Sequence, residues 1–141
     1  MNTTPHQMSK LVVISALAVF IMLGCERQTF VAGMATRPYP RDLHTTNVVD
    51  IQVFRDDSDI EIVNSTAQDF RNIDVWINQR YVQRIEALPA GKRLTLSLWD
   101  FFDERGERMN AGGFFRTTEP TPVRLVELQL TPESPMIGLI T

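Results

Sequence analysis

Residues 73–85 read IDVWINQRYVQRI and contain two alternating runs joined by a turn. In the first run, a two-residue period places the aliphatic side chains of Ile73, Val75 and Ile77 on one face of a strand. Asn78-Gln79-Arg80 suits a hairpin turn, because asparagine tolerates the left-handed backbone that such turns require. The stretch predicts an antiparallel hairpin with one buried face.

Short alternating runs of this kind recur along residues 48–130, at intervals of about ten residues and separated by turn residues,. No stretch keeps a helical period for several turns. We therefore expect one all-β domain of about seven strands, an antiparallel two-sheet β-sandwich of the immunoglobulin or fibronectin-III type. The succession Ile62–Ser65, Ile73–Tyr81 and Leu88–Leu98 also resembles small exported β-sandwich modules such as the FxLYD kind, a resemblance that implies the fold and no functional residue.

An apolar run, Leu11–Leu23, precedes the domain and follows ten residues that contain one lysine and no acidic residue. This order of segments is the plan of a secretory signal. As a helix, its thirteen residues rise only about 20 Å, short of the roughly 30 Å hydrocarbon core that a permanent spanning helix crosses. We expect residues 1–24 to be a signal peptide that is removed on export.

The run ends in Met22-Leu23-Gly24-Cys25, which resembles the lipobox of bacterial lipoproteins: leucine, a small or aliphatic residue, glycine or alanine, then cysteine. The resemblance implies that the Cys25 sulfur receives a diacylglycerol, that a peptidase cuts before Cys25, and that the freed amine is often acylated as well. Met22 stands where leucine is commonest and keeps the position apolar. Two or three acyl chains hold a protein stably on a membrane where one would be marginal. Cys25 is the only cysteine in the chain, and lipidation accounts for that odd thiol.

The resemblance implies a location in the bacterial cell envelope, on a membrane outside the cytoplasm. Glu26 follows the cysteine; in the best-studied Gram-negative bacteria an aspartate there signals retention in the inner membrane, so its absence favours the outer membrane. Residues 25–47 contain prolines at 38 and 40 and have no sustained period. We expect the lipidated cysteine to be followed by a flexible tether with an average span of about 25 Å. Its apolar residues Phe30, Val31, Met34 and Tyr39 are candidates to dock on another surface rather than remain free.

The carboxyl-terminal tail, residues 131–141, reads TPESPMIGLIT and ends in an apolar run from Met136 to Ile140. Apolar termini are seldom left in water. The tail either returns to the domain as an edge strand or adds to the sheet of a partner by β-augmentation. We favour the edge strand, because it needs no second protein.

The sequence contains few residues that could carry out catalysis. His6 leaves with the signal and His44 falls in the expected tether, so no histidine remains in residues 48–130 to serve as a base or a metal ligand,. The acidic residues at 100–107 are expected to lie in a solvated turn rather than to form an acid–base pair. Those at 56–59 are expected to lie in a solvated turn rather than in a calcium-binding loop. We therefore expect no enzyme, no catalytic residue, no metal and no cofactor other than the covalent lipid.

Charge argues against a nucleic-acid partner. The chain carries 14 Lys and Arg against 17 Asp and Glu, for a formal net charge of −3, and contains no basic run. Nucleic-acid binding takes its affinity from clustered lysines and arginines that neutralise phosphates. We expect no nucleic acid among the partners of this protein.

Trp76 is out of phase with the aliphatic face of its strand, so alternation puts it on the outer face, where Tyr81 neighbours it across the hairpin. An exposed aromatic pair can stack on a sugar ring or anchor a protein partner. The alternative, which we favour, is that the tether, the tail or a neighbouring strand covers Trp76. The sequence predicts a non-catalytic envelope module that binds or positions another protein. The alternative function is glycan or cell-wall binding through Trp76 and Tyr81.

Overall fold

The computed structural model describes residues 30–112 and 118–141. Within these ranges the regular structure consists of seven strands and three short 3-10 turns. No helix in the same ranges is long and apolar enough to cross a membrane. The 3-10 turns are Ala32–Met34, Arg41–Leu43 and Leu98–Asp100, and the strands are β1 (Val48–Asp56), β2 (Asp59–Asn64), β3 (Phe70–Ile77), β4 (Tyr81–Leu88), β5 (Arg93–Ser97), β6 (Val126–Gln129) and β7 (Ile137–Ile140).

All seven strands of the described residues belong to one sheet, in the order β4-β3-β6-β7-β1-β2-β5. Neighbouring strands run antiparallel except β1 and β7, which are parallel. The sheet curls until it is nearly barrel-shaped, and Phe102, shortly after β5, bridges to Val82 of β4 through backbone hydrogen bonds of 2.9 and 3.4 Å. The all-β class is confirmed. The antiparallel two-sheet sandwich is not confirmed, because the strands form one mixed sheet.

The tail explains why the sheet is continuous. Strand β7 lies between β6 and β1, so it is an interior strand and not the edge strand expected from the sequence. The Gly138 N–H donates to Asn47 O at 2.8 Å, and a Cβ on Gly138 would lie only 3.1 Å from that oxygen, so the missing side chain permits the close approach,. The next residue, Leu139, is 5% exposed. The sheet therefore extends to Ile140, past the boundary expected at Leu130.

The inner face of the curled sheet encloses the main hydrophobic core. Ile73, Val75 and Ile77 all lie in this core and are fully buried, as their alternation predicts. Burying an aliphatic side chain of this size stabilises a fold by about 1.5–3 kcal/mol. The residues between them on β3, Asp74 and Trp76, therefore lie on the outer face. Trp76 belongs to a separate hydrophobic cluster there.

The β3–β4 hairpin has the predicted turn. Asn78 and Gln79 adopt a left-handed backbone, with φ of 52° and 56°, and Ile77 pairs with Tyr81 across the loop. The Asn78 side chain also holds the segment that leads into β6, because its Oδ1 accepts the backbone N–H of Arg124 at 2.9 Å. The tip of the hairpin is thus fixed to a neighbouring part of the domain.

Residues 31–47, which we call the strap, lie against the domain instead of forming an unattached tether. At its start the Val31 N–H donates to Gly106 O at 3.1 Å, and near its end Leu43 O accepts the Met136 N–H at 2.8 Å. This docking differs from the flexible tether expected from the sequence. The physical reason lies on the outer face of β3 and β6, where buried polar groups need partners that the strap supplies.

Gly106→Ala is expected to destabilise the domain by displacing the start of the strap. Gly106 has a φ of 80°, and an added Cβ would lie 2.4 Å from Val31 O. We expect the free energy of unfolding, measured by urea denaturation, to fall by about 2 kcal/mol or more. Gly91→Ala is the matched control, because Gly91 has a φ of 66° but open space around it, and its loss should be only about 1 kcal/mol. Equal losses for the two variants would contradict a steric role for the contact with Val31.

Candidate functional site

The outer face of β3 and β6 is a buried polar surface. Cross-strand pairing sets Asp74 opposite Gln129 and Trp76 opposite Glu127. All four residues are buried, and Glu127 is only 1% exposed. Removing a carboxylate from water without a partner costs several kcal/mol. This face is therefore stable only if donors reach it from elsewhere in the chain.

Arg37 of the strap supplies the donors for Asp74 and Gln129. Its Nη2 lies 2.7 Å from Asp74 Oδ2 and 2.6 Å from Gln129 Oε1. The guanidinium carbon also lies 5.0 Å from the centre of the Trp76 ring, a cation–π arrangement,. Arg84 of β4 gives Asp74 a second cation, at 3.4 Å. One strap arginine thus joins β3 to β6 and covers part of the indole.

Tyr39 and His44 enclose the carboxylate of Glu127. The Tyr39 O–H donates to Oε2 at 2.8 Å, and His44 Nδ1 lies 2.8 Å from Oε1. A His44 tautomer that carries its proton on Nδ1 donates to this oxygen,. The Tyr39 ring meets the Trp76 ring edge-on, with centroids 5.3 Å apart,. Burial, and then the hydrogen bond to Glu127, raise the pKa of the Tyr39 phenol well above its usual range, so the phenol remains a neutral donor.

The structure places both aromatic residues of the predicted pair in buried positions. Trp76 is fully buried, and Met136 of the tail joins Tyr39 of the strap in covering it. Tyr81 is 6% exposed and lies in the main core, opposite Ile77, so it does not pair with Trp76 on the outer face as the sequence predicted. Cover by the strap and the tail is the arrangement favoured from the sequence, and neither ring offers a free face to a sugar. The predicted lipid-attachment residue, Cys25, lies outside the described residues.

The sequence analysis did not recognise His44 and Tyr39 as the residues that contact the Glu127 carboxylate. A signal for them exists in β6, where Glu127 stands between Val126 and Leu128, both of which lie in the main core. A carboxylate in so short an apolar strand requires hydrogen-bond donors. The pattern does not show which residues provide them, since 83 positions separate His44 from Glu127.

Glu127 and its two partners, Tyr39 and His44, form what we call the Glu127 cluster. A groove with a volume of about 570 Å³ lies beside it. It is bounded by the strap, the β3–β4 hairpin and the turn at residues 103–106. Tyr39 belongs to both features, so the groove and the Glu127 cluster share a wall. The lining residues are Pro38, Tyr39 and Arg41 from the strap, Asn78, Gln79 and Arg80 from the hairpin, and Asp103, Glu104 and Arg105 from the turn.

Asp103 is the buried acid of the groove. It is 2% exposed, although the sequence predicted a solvated turn. Arg80 binds its Oδ2 through Nε at 3.0 Å and Nη2 at 2.8 Å, and the backbone N–H groups of Arg105 and Glu107 donate to its Oδ1 at 2.9 and 2.8 Å. Burial alone would raise the pKa of this carboxyl, but these hydrogen bonds outweigh it and hold the pKa below its ordinary value,.

The charges of Arg80 and Asp103 in the groove are matched by partners within the protein. Arg80 contacts two carboxylates, those of Asp103 and Glu107. Acid–base catalysis works best with a pKa near the ambient pH, whereas the pKa values of Asp103 and Tyr39 move away from neutrality, downward for the acid and upward for the phenol. Among the described residues, no group of three or more His, Cys, Asp or Glu side chains is arranged to hold a metal ion.

No protein-family model, no curated protein and no solved structure matches this chain. Function is therefore inferred from the geometry of the molecule itself. That geometry consists of a buried carboxylate cluster under the strap and a polar groove next to it, joined by Tyr39.

Tyr39→Phe is expected to lower the free energy of unfolding by about 1–3 kcal/mol, because it leaves a buried Glu127 oxygen without its O–H donor. In a double-mutant cycle with Glu127→Gln, followed by urea denaturation, we expect a coupling energy of about 1 kcal/mol or more. The exposed pair Arg93 and Glu61 is the control, and its cycle with Arg93→Gln and Glu61→Gln should give less than about 1 kcal/mol. Strictly additive losses at Tyr39 and Glu127 would mean that this hydrogen bond does not hold the strap.

Proposed function

We propose that the chain is a lipoprotein of the bacterial cell envelope, held on a membrane through acyl chains on Cys25. Its β domain acts as a non-catalytic module that binds or positions a partner protein. The apolar run Leu11–Leu23 and the lipobox-like Met22-Leu23-Gly24-Cys25 support the anchor. In an envelope with two membranes, the outer membrane is the favoured location.

The groove is the observation that carries the binding role. Its volume of about 570 Å³ lies within the range of ligand sites, roughly 300–1,000 Å³. The Asp103 carboxylate receives hydrogen bonds from Arg80 and from two backbone N–H groups, so the charged wall keeps its shape before a partner arrives. A preformed polar surface of this kind reduces the entropy lost on binding. The pKa of Asp103 is lowered and that of Tyr39 is raised, so both move away from neutrality. Such values favour recognition over proton transfer.

A charged segment of a protein is the partner that fits the groove best. The exposed residues Arg41 and Arg105 line it, and Arg105 lies 4.0 Å from Glu104 at its rim. Arginine side chains bind carboxylates through paired donors. Stacking on a sugar ring needs an exposed aromatic face, whereas Trp76 and Tyr81 are buried. For that reason the proposal names a protein and not a glycan.

The anchor is tested by Cys25→Ser. The serine hydroxyl cannot form the thioether to diacylglycerol, so we expect no labelled fatty acid on the protein and an accumulation of unprocessed precursor, read by intact mass. Thr29→Ser, which lies outside the motif, should be lipidated and processed as in the wild type. Labelled fatty acid on the Cys25→Ser protein, or a mature protein that begins at another residue, would overturn the anchor.

The groove is tested by photo-crosslinking in cells. A crosslinking residue at Gln79 or at Arg105 should capture the same protein, identified by mass spectrometry, whereas one at the exposed Lys92 outside the groove should not. Arg41→Glu should lower the yield roughly tenfold, because it puts a repulsive charge on a surface suited to an acidic segment. Equal capture of that protein from Lys92, or an unchanged yield with Arg41→Glu, would contradict binding in the groove.

A further inference from the structure

Three exposed apolar side chains lie close together in sequence where the described residues begin. Phe30, Val31 and Met34 are 61%, 37% and 47% exposed. Contiguous large apolar side chains on a protein surface mark sites that meet a partner or a membrane. We call these three residues the apolar patch.

The apolar patch is held at a fixed place on the domain. The Val31 N–H donates to Gly106 O at 3.1 Å, the Met34 N–H closes a 3-10 turn onto Val31 O at 2.8 Å, and the Thr36 N–H donates to Asp103 O at 3.0 Å. These bonds attach the segment to the turn that also lines the groove. The patch and the groove therefore share one end of the domain.

Covalent geometry limits the distance between the patch and the proposed anchor. Residues 26–29 separate Cys25 from Phe30, and five Cα–Cα steps span at most about 18 Å. The headgroup layer of each leaflet is roughly 5–8 Å thick. So short a connection keeps Phe30 close to the bilayer surface in every conformation it can adopt.

We propose that the apolar patch inserts into the boundary between the headgroups and the acyl chains of the membrane that carries the anchor. The apolar faces of helices that lie in the membrane interface are buried roughly 5–10 Å deep in that boundary. Arg105 on the adjoining turn, whose side chain is 73% exposed and lies 4.0 Å from the half-exposed Glu104 carboxylate, offers a cation to lipid phosphates. The inference rests on the proposed lipid attachment at Cys25, and it adds an orientation: the groove is held beside the membrane at a constant distance.

A bilayer is a better occupant of the patch than a second protein. The short connection to Cys25 makes contact with lipid intramolecular, at a high effective concentration. A protein partner, or a second copy of this chain, would have to displace that contact. Cover by a second copy gives an outcome that the following experiment distinguishes from insertion.

The test uses introduced cysteines in the mature lipoprotein. Cys25 is the only cysteine of the chain, so once its sulfur is acylated, Phe30→Cys or Met34→Cys provides the only free thiol for a fluorescent label. Phe54→Cys is the matched control, because Phe54 is 53% exposed on β1 and lies outside the patch. In vesicles of phosphatidylethanolamine and phosphatidylglycerol with brominated acyl chains, labels at 30 and 34 should lose roughly half or more of their fluorescence. The label at 54 should remain bright and accessible to iodide.

Each other outcome overturns the inference. Lipidated, vesicle-bound protein whose labels at 30 and 34 behave like the label at 54 would overturn insertion and leave the proposed lipoprotein intact. Efficient disulfide formation between copies at position 30, without quenching by lipid, would show that a second copy covers the patch. Protein that carries no acyl chain by intact mass would overturn the lipoprotein assignment together with the insertion.

Discussion

The buried carboxylate of Glu127 is the constraint on which the arrangement of the domain depends. Glu127 is 1% exposed, and strand pairing fixes it to the outer face of β6. Its two oxygens are satisfied by Tyr39 and His44, both on the strap. Removing either donor while the strap stays docked would leave a buried oxygen without its hydrogen bond, a change that typically costs about 1–3 kcal/mol. The strap and the sheet are therefore one structural unit, although the strap contributes no strand.

The tail completes this unit from the other end of the chain. Met136 packs against Trp76 on the outer face, its N–H donates to Leu43 O, and its carbonyl accepts the Thr45 hydroxyl. The residues that follow it form β7, which joins β6 to β1. The strap is thus held partly by the segment that makes the sheet continuous.

Local periodicity was sufficient to predict the parts of the fold that depend on neighbouring residues. The hairpin over residues 73–85, its Asn78 turn and its inward aliphatic face were all predicted, because alternation and turn chemistry act within a few positions. Pairing between distant strands was not, since alternation sets which face a residue occupies and not which strand lies beside it. The parallel pair of β1 and β7 is the clearest case, and it turned an expected sandwich into one sheet.

The candidate site was harder to predict for the same reason. Trp76 was placed on the correct face, but its burial depends on residues of the strap and the tail that are distant in sequence. Asp103 looked like one acid in a solvated cluster, and only the folded chain shows that Arg80, 23 residues earlier, reaches it. Patterns of single residue types report the local surface and carry no information on long-range ion pairs.

One turn links the groove to the start of the strap. The Asp103 carboxylate fixes Arg80 in the groove wall. The backbone carbonyl of Asp103 accepts the Thr36 N–H of the strap at 3.0 Å. Gly106, in the same turn, holds Val31 and leaves no room for a side chain. In the lipoprotein that we propose, this turn therefore sets the position of the groove relative to the point at which the chain leads toward Cys25.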